Sequence, residues 1–376
     1  MAELELAVID VKPGAAMESQ SGLQMLRPRI YGAYAQPPQP ISRRVAAIVM
    51  HPATNFMGHY LIQPLAERGI CCLGLNSRYA GNDSVLLMER VIQDLGAGVK
   101  YLRGLGYQRI VLIGNSGGAA LAAFYQAQAE NLTVETMVDG DPARLSRDDL
   151  PPVDGIALCA AHEGRSSLFA KWIDPSVLDE HDSLSADPAL DMYNPANGPP
   201  YSSAFLERFH AAQNARRDRI EAWTWERLRQ LRATAGAPRD QAFVVHRTHA
   251  DPRCLDLSLD PNDRAAGSVW GDARTVNYAA NSMARYTSLT AFLSQWSSAS
   301  RADGPSNLAR TKVPALLLTY TADQSTFPST RDAWLAAGGG RIRNVDIKGG
   351  NHYLAGQPTL VHEVANEIAQ WIERAV

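Results

Sequence analysis

Hydrophobic residues follow two alternating periodicities along the first half of the chain. Short apolar runs predict strands at residues 23–30, 45–50, 71–75, 110–113 and 156–160. Residues 84–103 repeat apolar side chains with the helical period, with a cap available among residues 82–84 and Gly104 at the end. Strands that alternate with helices are typical of a largely parallel sheet covered by helices. We therefore expect an α/β fold.

The alternation of strands and helices resumes near the C-terminus. Residues 313–320 form an apolar run that predicts a buried strand, and residues 345–347 predict a short one. Residues 359–374 place apolar side chains on one face of an amphipathic helix. The predicted sheet therefore gains its last strands from the end of the chain.

A long segment separates these two parts. Residues 163–312 lack the alternation, and helical periodicity dominates at 202–235 and 276–296. A compact protein rarely contains a structureless loop of about 150 residues. We predict that residues 1–162 and 313–376 form one α/β core, and that residues 163–312 form a mainly helical cap inserted into it.

The composition is that of a packed protein. Apolar residues make up 45% of the chain and charged residues 20%, which argues against a disordered or fibrous chain. The 36 Lys and Arg nearly balance the 39 Asp and Glu, for a net charge of −3, so no general positive field favours a nucleic-acid partner. We expect a small-molecule substrate and leave a homo-oligomer open.

The cysteines and the N-terminus bear on cofactors and location. The four cysteines are too few and too irregularly spaced for a disulfide framework or a zinc cage. His246 and His249 have H-x-x-H spacing but lack a third ligand of obvious spacing. The N-terminus is acidic where a secretory signal is basic, and no apolar run approaches a membrane span. We expect reduced thiols, no metal or cofactor, no membrane contact and a cytoplasmic location.

The clearest chemical motif lies where a predicted strand meets a predicted helix. The run Ile110-Val-Leu-Ile-Gly114-Asn-Ser116-Gly117-Gly118 leads from a strand through G-x-S-x-G into an Ala-rich segment. A serine on such a tight turn has a strained backbone, and the flanking glycines leave space for neighbouring chains. The N–H of Gly117 would face an oxyanion formed at the serine. We predict Ser116 as a nucleophile and Gly117 as an oxyanion-hole donor.

A serine nucleophile needs a base that a third group orients. Asp323 follows the buried strand of the second half, and His352 lies in the Gly-rich loop after the last strand. Both positions belong to the edge at which open α/β sheets bind ligands. We predict that Ser116, Asp323 and His352 form a catalytic triad. Glu163, just after an earlier strand, stays an alternative acid.

These motifs resemble those of the α/β-hydrolase superfamily. Residues 114–118, Asp323 and residues 349–352 are similar to its nucleophile elbow, acid and histidine loop. The resemblance covers residues 45–162 and 313–376. It implies a mostly parallel sheet flanked by helices, hydrolase activity, and a lid formed by the inserted segment.

The loop after the strand at 45–50 supplies further candidates. Superfamily members often carry His-Gly there, and the next residue lends a backbone N–H to the oxyanion hole, whereas this chain has His51-Pro52-Ala53. Proline has no N–H, so we predict Ala53 as the second donor and leave a neighbouring residue open. His51 is expected to hold the loop backbone. The candidate substrate-contacting residues are His51, Asn55, His162 and Glu163.

The predicted activity is hydrolysis of a small-molecule carboxylic ester through an acyl-enzyme. Thioester, amide, lactone or C–C bond hydrolysis uses the same triad and stays an alternative. A ligand-binding protein without catalysis is disfavoured, because all three triad residues are present. The identities of the acyl and leaving groups are not encoded in any local pattern.

Overall fold

A large mixed sheet forms the centre of the molecule. The computed structural model describes residues 3–14, 27–38 and 44–376. Within them the strands are β1 (Leu4–Asp10), β2 (Arg29–Ala35), β3 (Val45–His51), β4 (Cys71–Asn76), β5 (Arg109–Asn115), β6 (Gly155–Cys159), β7 (Ala242–Val244), β8 (Tyr286–Ser288), β9 (Ala315–Tyr320) and β10 (Ile342–Ile347).

Helices cover the sheet and build the segment inserted after β6. In the described residues they are α1 (Ile62–Ala66), α2 (Met88–Gly104), α3 (Gly118–Glu130), α4 (Arg165–Trp172), α5 (Ser203–Ala233), α6 (Ala273–Tyr278), α7 (Leu289–Gln295), α8 (Gly304–Leu308), α9 (Pro328–Gly338) and α10 (Pro358–Ala375). None of them combines the length and apolar composition that crossing a bilayer would require.

The large sheet has the strand order β1-β2-β4-β3-β5-β6-β9-β10. Neighbours from β4 to β10 pair in parallel, whereas β2 runs antiparallel to β1 and β4. The carboxyl ends of β3, β5, β6, β9 and β10 therefore meet at one edge, where open α/β sheets bind ligands. The predicted α/β architecture is confirmed.

The parallel strands are buried on both faces. Ile48 and Leu112 pack with residues of α2 and α3 on one side, and Val49 and Ile113 pack with residues of α1 and α10 on the other. Strands of this kind read as continuous apolar runs. This burial explains why the central strands were predictable from the sequence.

Residues 160–314 add no strand to the large sheet. In this segment α5 packs against α4 and α7, around an apolar cluster that includes Phe169, Phe292 and Trp296. The short helix α8 packs instead on α3 and α9, so the chain rejoins the helical layer of the sheet before β9. The assignment of residues 163–312 as a cap stays a prediction.

Several element boundaries differ from those expected. The predicted strand at 23–30 falls partly on residues outside the described ranges, and the described strand is Arg29–Ala35. The edge strand β1 was not predicted, although Leu4, Leu6 and Val8 alternate with polar or small residues as strand residues do. Residues 276–296 form no single helix, because β8 pairs with β7 within that stretch.

Candidate active site

A sharp turn between β5 and α3 carries Ser116. Its φ is +56°, in a region that residues with a side chain rarely adopt. A Cβ on Gly114 would lie 2.5 Å from the Cα of Ala119, and one on Gly118 would lie 2.2 Å from the carbonyl oxygen of Met50. Glycine at these two positions therefore lets the turn form and brings Ser116 to the carboxyl edge of the sheet.

Ser116, His352 and Asp323 form a continuous hydrogen-bonded chain. The Nε2 atom of His352 lies 3.0 Å from Ser116 Oγ, and its Nδ1 lies 2.7 Å from Asp323 Oδ2. Asp323 follows β9 and His352 follows the adjacent strand β10. Both side chains are buried. The structure thus brings the three residues of the predicted triad together.

The Asp323 carboxylate is held by several donors besides His352. Oδ1 accepts hydrogen bonds from the N–H groups of Ser325 and Thr326, and Oδ2 accepts one from the Thr326 hydroxyl. Burial raises the pKa of Asp323, but His352 and Thr326 outweigh burial and hold this pKa below its usual value. An ionised Asp323 accepts a hydrogen bond from the Nδ1–H of His352, which leaves Nε2 free to accept a hydrogen bond from the Ser116 hydroxyl.

Glu163, the alternative acid, makes a different contact. Its carboxylate pairs with the Lys171 ammonium, away from the chain that joins Asp323 to His352. Its neighbour His162 reaches the site instead, with its ring centroid 5.4 Å from that of His352. Burial, helped by the charge of His352, lowers the pKa of His162 to about 3. The side chain beside His352 is therefore a neutral imidazole.

The loop after β3 forms the wall next to Ser116. His51 Nδ1 accepts hydrogen bonds from the N–H groups of Ala53 and Thr54, at 3.2 and 3.0 Å. The Ala53 N–H, predicted as an oxyanion donor, is thus already engaged within its own loop. By contrast, the Gly117 N–H has no acceptor in the part of the chain that the structure describes.

The other ring nitrogen of His51 faces Gly117. Burial lowers the pKa of His51 well below its usual value, helped by nearby charges such as Arg165. The ring is therefore neutral, and because Nδ1 accepts hydrogen bonds, the proton resides on Nε2. A methyl group at Gly117 would lie 2.8 Å from Nε2. The His51 Nε2–H therefore lies against Gly117, the residue that follows Ser116.

A cavity of about 740 Å³ opens above these residues. Ser116, His352 and three of the four predicted substrate-contacting residues line it, namely His51, Asn55 and His162. Glu163 is not in its wall. The inserted segment contributes Arg165, Leu168, Trp172, Val269, Trp270, Asn281, Ser282 and Met283. The cavity wall thus combines residues at the sheet edge with residues of the segment between β6 and β9.

Some residues of the site were not identified from the sequence. Ser325 and Thr326 follow Asp323 in a pattern typical of a turn in which Asp accepts backbone N–H groups, and this local signal was available. Arg165 and Ser282 carry no such signal, because they lie more than 100 positions apart and meet only in the folded cavity.

His249 of the H-x-x-H pair has an aromatic environment. In the described ranges, no three or more His, Cys, Asp or Glu side chains are grouped to hold a metal ion. The His249 ring lies against Trp172 and Trp270, with centroids 4.2 and 5.1 Å away. His249 therefore packs among aromatic side chains.

Comparison with known proteins establishes the fold. No family model matches the chain, and no curated protein matches it in sequence. DcsB, solved in complex with its substrate analogue, aligns over 99% of both chains with a TM-score of 0.52 and 12% identity. A hypothetical protein from Pseudomonas aeruginosa aligns over 100% of this chain and 94% of its own, with a TM-score of 0.51 and 15% identity.

An esterase domain from Rhodothermus marinus also aligns over 99% of this chain and 98% of its own, with a TM-score of 0.47 and 12% identity. Identities this low concern the fold alone. The strand order and the serine-bearing turn after β5 are those of the α/β-hydrolase fold.

Proposed function

We propose that this protein is a serine hydrolase that cleaves a small-molecule carboxylic ester through an acyl-enzyme intermediate. The observation that carries the proposal is the hydrogen-bonded chain from Ser116 through His352 to Asp323, in which Ser116 and His352 line a cavity. A serine hydroxyl is a weak nucleophile near neutral pH, and an oriented base of this kind activates it.

In the first half of the reaction, His352 Nε2 takes the proton of Ser116 as Oγ attacks the ester carbonyl. Asp323 holds the ring through Nδ1 and stabilises the imidazolium that forms. His352 then gives the proton to the departing alcohol, which leaves the acyl group on Ser116.

Two donors stabilise the oxyanion of the tetrahedral intermediate. The first is the N–H of Gly117, and the second is the Nε2–H of His51, whose ring lies against Gly117. His51 takes the place expected for Ala53, whose N–H is engaged with His51 Nδ1. One such donor typically contributes about 10²–10³-fold to turnover.

In the second half of the reaction, His352 activates a water molecule that attacks the acyl-enzyme and releases the acid.

We propose that residues 163–312 act as the cap that selects the substrate, since α4 and residues 269–283 contribute to the cavity wall. The choice of carboxylic esters rests on analogy at the level of the fold.

The proposal is tested by hydrolysis of 4-nitrophenyl acetate and butyrate. Replacing Ser116 by Ala is expected to lower kcat by about 10³-fold or more, with circular dichroism and the unfolding midpoint unchanged. Ser203→Ala serves as the matched control, because Ser203 is an exposed residue at the start of α5. A Ser116→Ala protein that keeps most of the wild-type activity would contradict the proposal.

A further inference from the structure

A buried guanidinium lies in the cavity wall. Arg165, the first residue of α4, is only 8% exposed and lines the cavity with Ser116. Its Nη1 donates to Asp83 Oδ2 and to Gln295 Oε1, and its guanidinium carbon lies 4.7 Å from the centre of the Trp296 ring. These contacts fix the orientation of the guanidinium group.

The opposite edge of this guanidinium, formed by Nε and Nη2, makes no hydrogen bond to the described part of the chain. These two nitrogens carry three of its five N–H donors. Neither nitrogen is among the fully buried side-chain atoms that lack a partner in the described residues, in contrast to Arg247 Nη1 and Arg285 Nε. The free edge of Arg165 therefore keeps access to the cavity.

The same edge binds carboxylates elsewhere in this protein. Arg216 holds Glu180 through Nε and Nη2 at 2.9 and 2.6 Å, and Arg27 holds Asp10 in the same way at 3.2 and 2.8 Å. The two parallel N–H groups of this edge match the two oxygens of a carboxylate. A planar carboxylate is therefore the ligand that best fits the free edge of Arg165.

We propose that Arg165 receives a free carboxylate of the substrate, so that the ester cleaved at Ser116 also carries a negative charge. This inference rests on the proposed function and names the substrate class of the same site.

Asp83 is the charge that opposes such binding. Its carboxylate pairs with Arg165 at 2.7 Å and is 32% exposed. Burial lowers the pKa of His51 and of His162, and both side chains of the wall remain uncharged. Removal of the Asp83 charge therefore leaves Arg165 without its counter-charge, and a substrate carboxylate should then bind more tightly.

The test compares matched esters that differ in one charge. On the acyl side, 4-nitrophenyl hydrogen glutarate is compared with its methyl ester, and on the alcohol side 4-acetoxybenzoate is compared with 4-acetoxybenzamide. The wild-type protein should prefer the charged member of at least one pair by about 10- to 100-fold in kcat/KM. Arg165→Gln should abolish this preference through an increased KM for the charged ester, and Asp83→Asn should increase the preference.

A second readout does not depend on turnover. Calorimetry with glutarate and 4-hydroxybenzoate on the Ser116→Ala protein should show binding that weakens about tenfold or more when Arg165→Gln is added. Arg165→Lys keeps the charge without the planar edge and should bind with intermediate affinity, which provides a variant for the case that Arg165→Gln does not fold.

The outcomes separate the two proposals. Equal kcat/KM within both pairs, a charge preference that survives Arg165→Gln, or an unchanged preference in Asp83→Asn would overturn the subsite, while cleavage of neutral esters would still support the hydrolase. If no ester is cleaved, the hydrolase proposal fails, and the calorimetric comparison alone decides whether Arg165 binds a carboxylate.

Discussion

His51 uses its two ring nitrogens for two different tasks. Nδ1 holds the loop by accepting from Ala53 and Thr54, and Nε2–H is proposed to bind the oxyanion. An Asn side chain places an acceptor near the position of Nδ1 but no donor that reaches Gly117. The longer Gln side chain places its amide N–H groups near Gly117. We expect His51→Asn to lower kcat by about 10²–10³-fold with little change in KM, and His51→Gln to retain much more activity.

Steady-state kinetics on 4-nitrophenyl butyrate measures this difference, and urea unfolding shows whether each variant keeps its stability. If His51→Asn has a normal kcat, the side chain only supports the loop. The same conclusion would follow if the Asn and Gln variants lost activity equally.

Some site residues could be predicted from the sequence and others could not, because only some of them have a local sequence signal. Ser116, Asp323 and His352 could be identified because their signals are local: a G-x-S-x-G turn and two strand ends. The engagement of Ala53 could not be predicted, because the direction of its N–H depends on the His51 ring. Arg165 could not be identified because its free edge is defined by Asp83, Gln295 and Trp296, which are distant in sequence.

At the scale of elements, the turn from β5 to α3 depends on the absence of a side chain at Gly118. A methyl group at Gly118 would lie 2.2 Å from the Met50 carbonyl oxygen. This oxygen belongs to the backbone, which cannot move aside to relieve the clash as a flexible side chain can. We expect Gly118→Ala to lower the free energy of unfolding by about 3 kcal/mol or more. Urea unfolding measures the change.

Gly104→Ala is the matched control, since Gly104 ends α2 and an added Cβ meets nothing within 4 Å. This control should leave the free energy of unfolding unchanged or raise it by up to about 1 kcal/mol. Equal unfolding midpoints for Gly118→Ala and the wild type would show that the turn tolerates a side chain.

Element boundaries were less predictable than the elements themselves. The helix expected from residue 84 begins at Met88, and its N-cap Leu87 makes no side-chain capping bond. The Met88 N–H donates instead to Ser294 Oγ, 206 residues away. Local capping rules therefore predicted too early a start for this helix, because a tertiary hydrogen bond, and not a local cap, satisfies the Met88 N–H in its first turn.

At the scale of the whole molecule, buried histidines should limit stability in acid. Burial lowers the pKa of His162 to about 3 and that of His249 to about 4, whereas an unfolded histidine has a pKa of about 6.5. Between these values the unfolded chain binds protons that the folded chain does not, so the free energy of unfolding falls as the pH drops below about 6.5. Each histidine should remove about 1 kcal/mol by pH 5.5.

Urea unfolding at pH 7.5 and at pH 5.5 checks this expectation. Replacing His249 by Gln should reduce the difference between the two pH values, whereas replacing the exposed His181 by Gln should not. Identical unfolding free energies at both pH values in the wild-type protein would contradict the account.

The division of the chain also belongs to this scale. The interruption of the strand and helix pattern after residue 162 indicated an insertion, and the described residues 160–314 add no strand to the large sheet. The sequence could not indicate that α8 packs with α3 and α9, because this contact depends on how the chain returns to the sheet. Nor could it indicate which side chains of the insertion face the cavity.

The central claim is that Ser116 is a nucleophile activated by His352 and Asp323. Reaction of the folded protein with a fluorophosphonate, followed by intact-mass measurement and peptide mapping, tests this claim most directly. We predict one phosphonyl group per chain, located on the peptide that contains Ser116, with equal labelling of Ser203→Ala and none of Ser116→Ala. Absence of labelling in the folded wild-type protein, or labelling that persists in Ser116→Ala, would contradict the account.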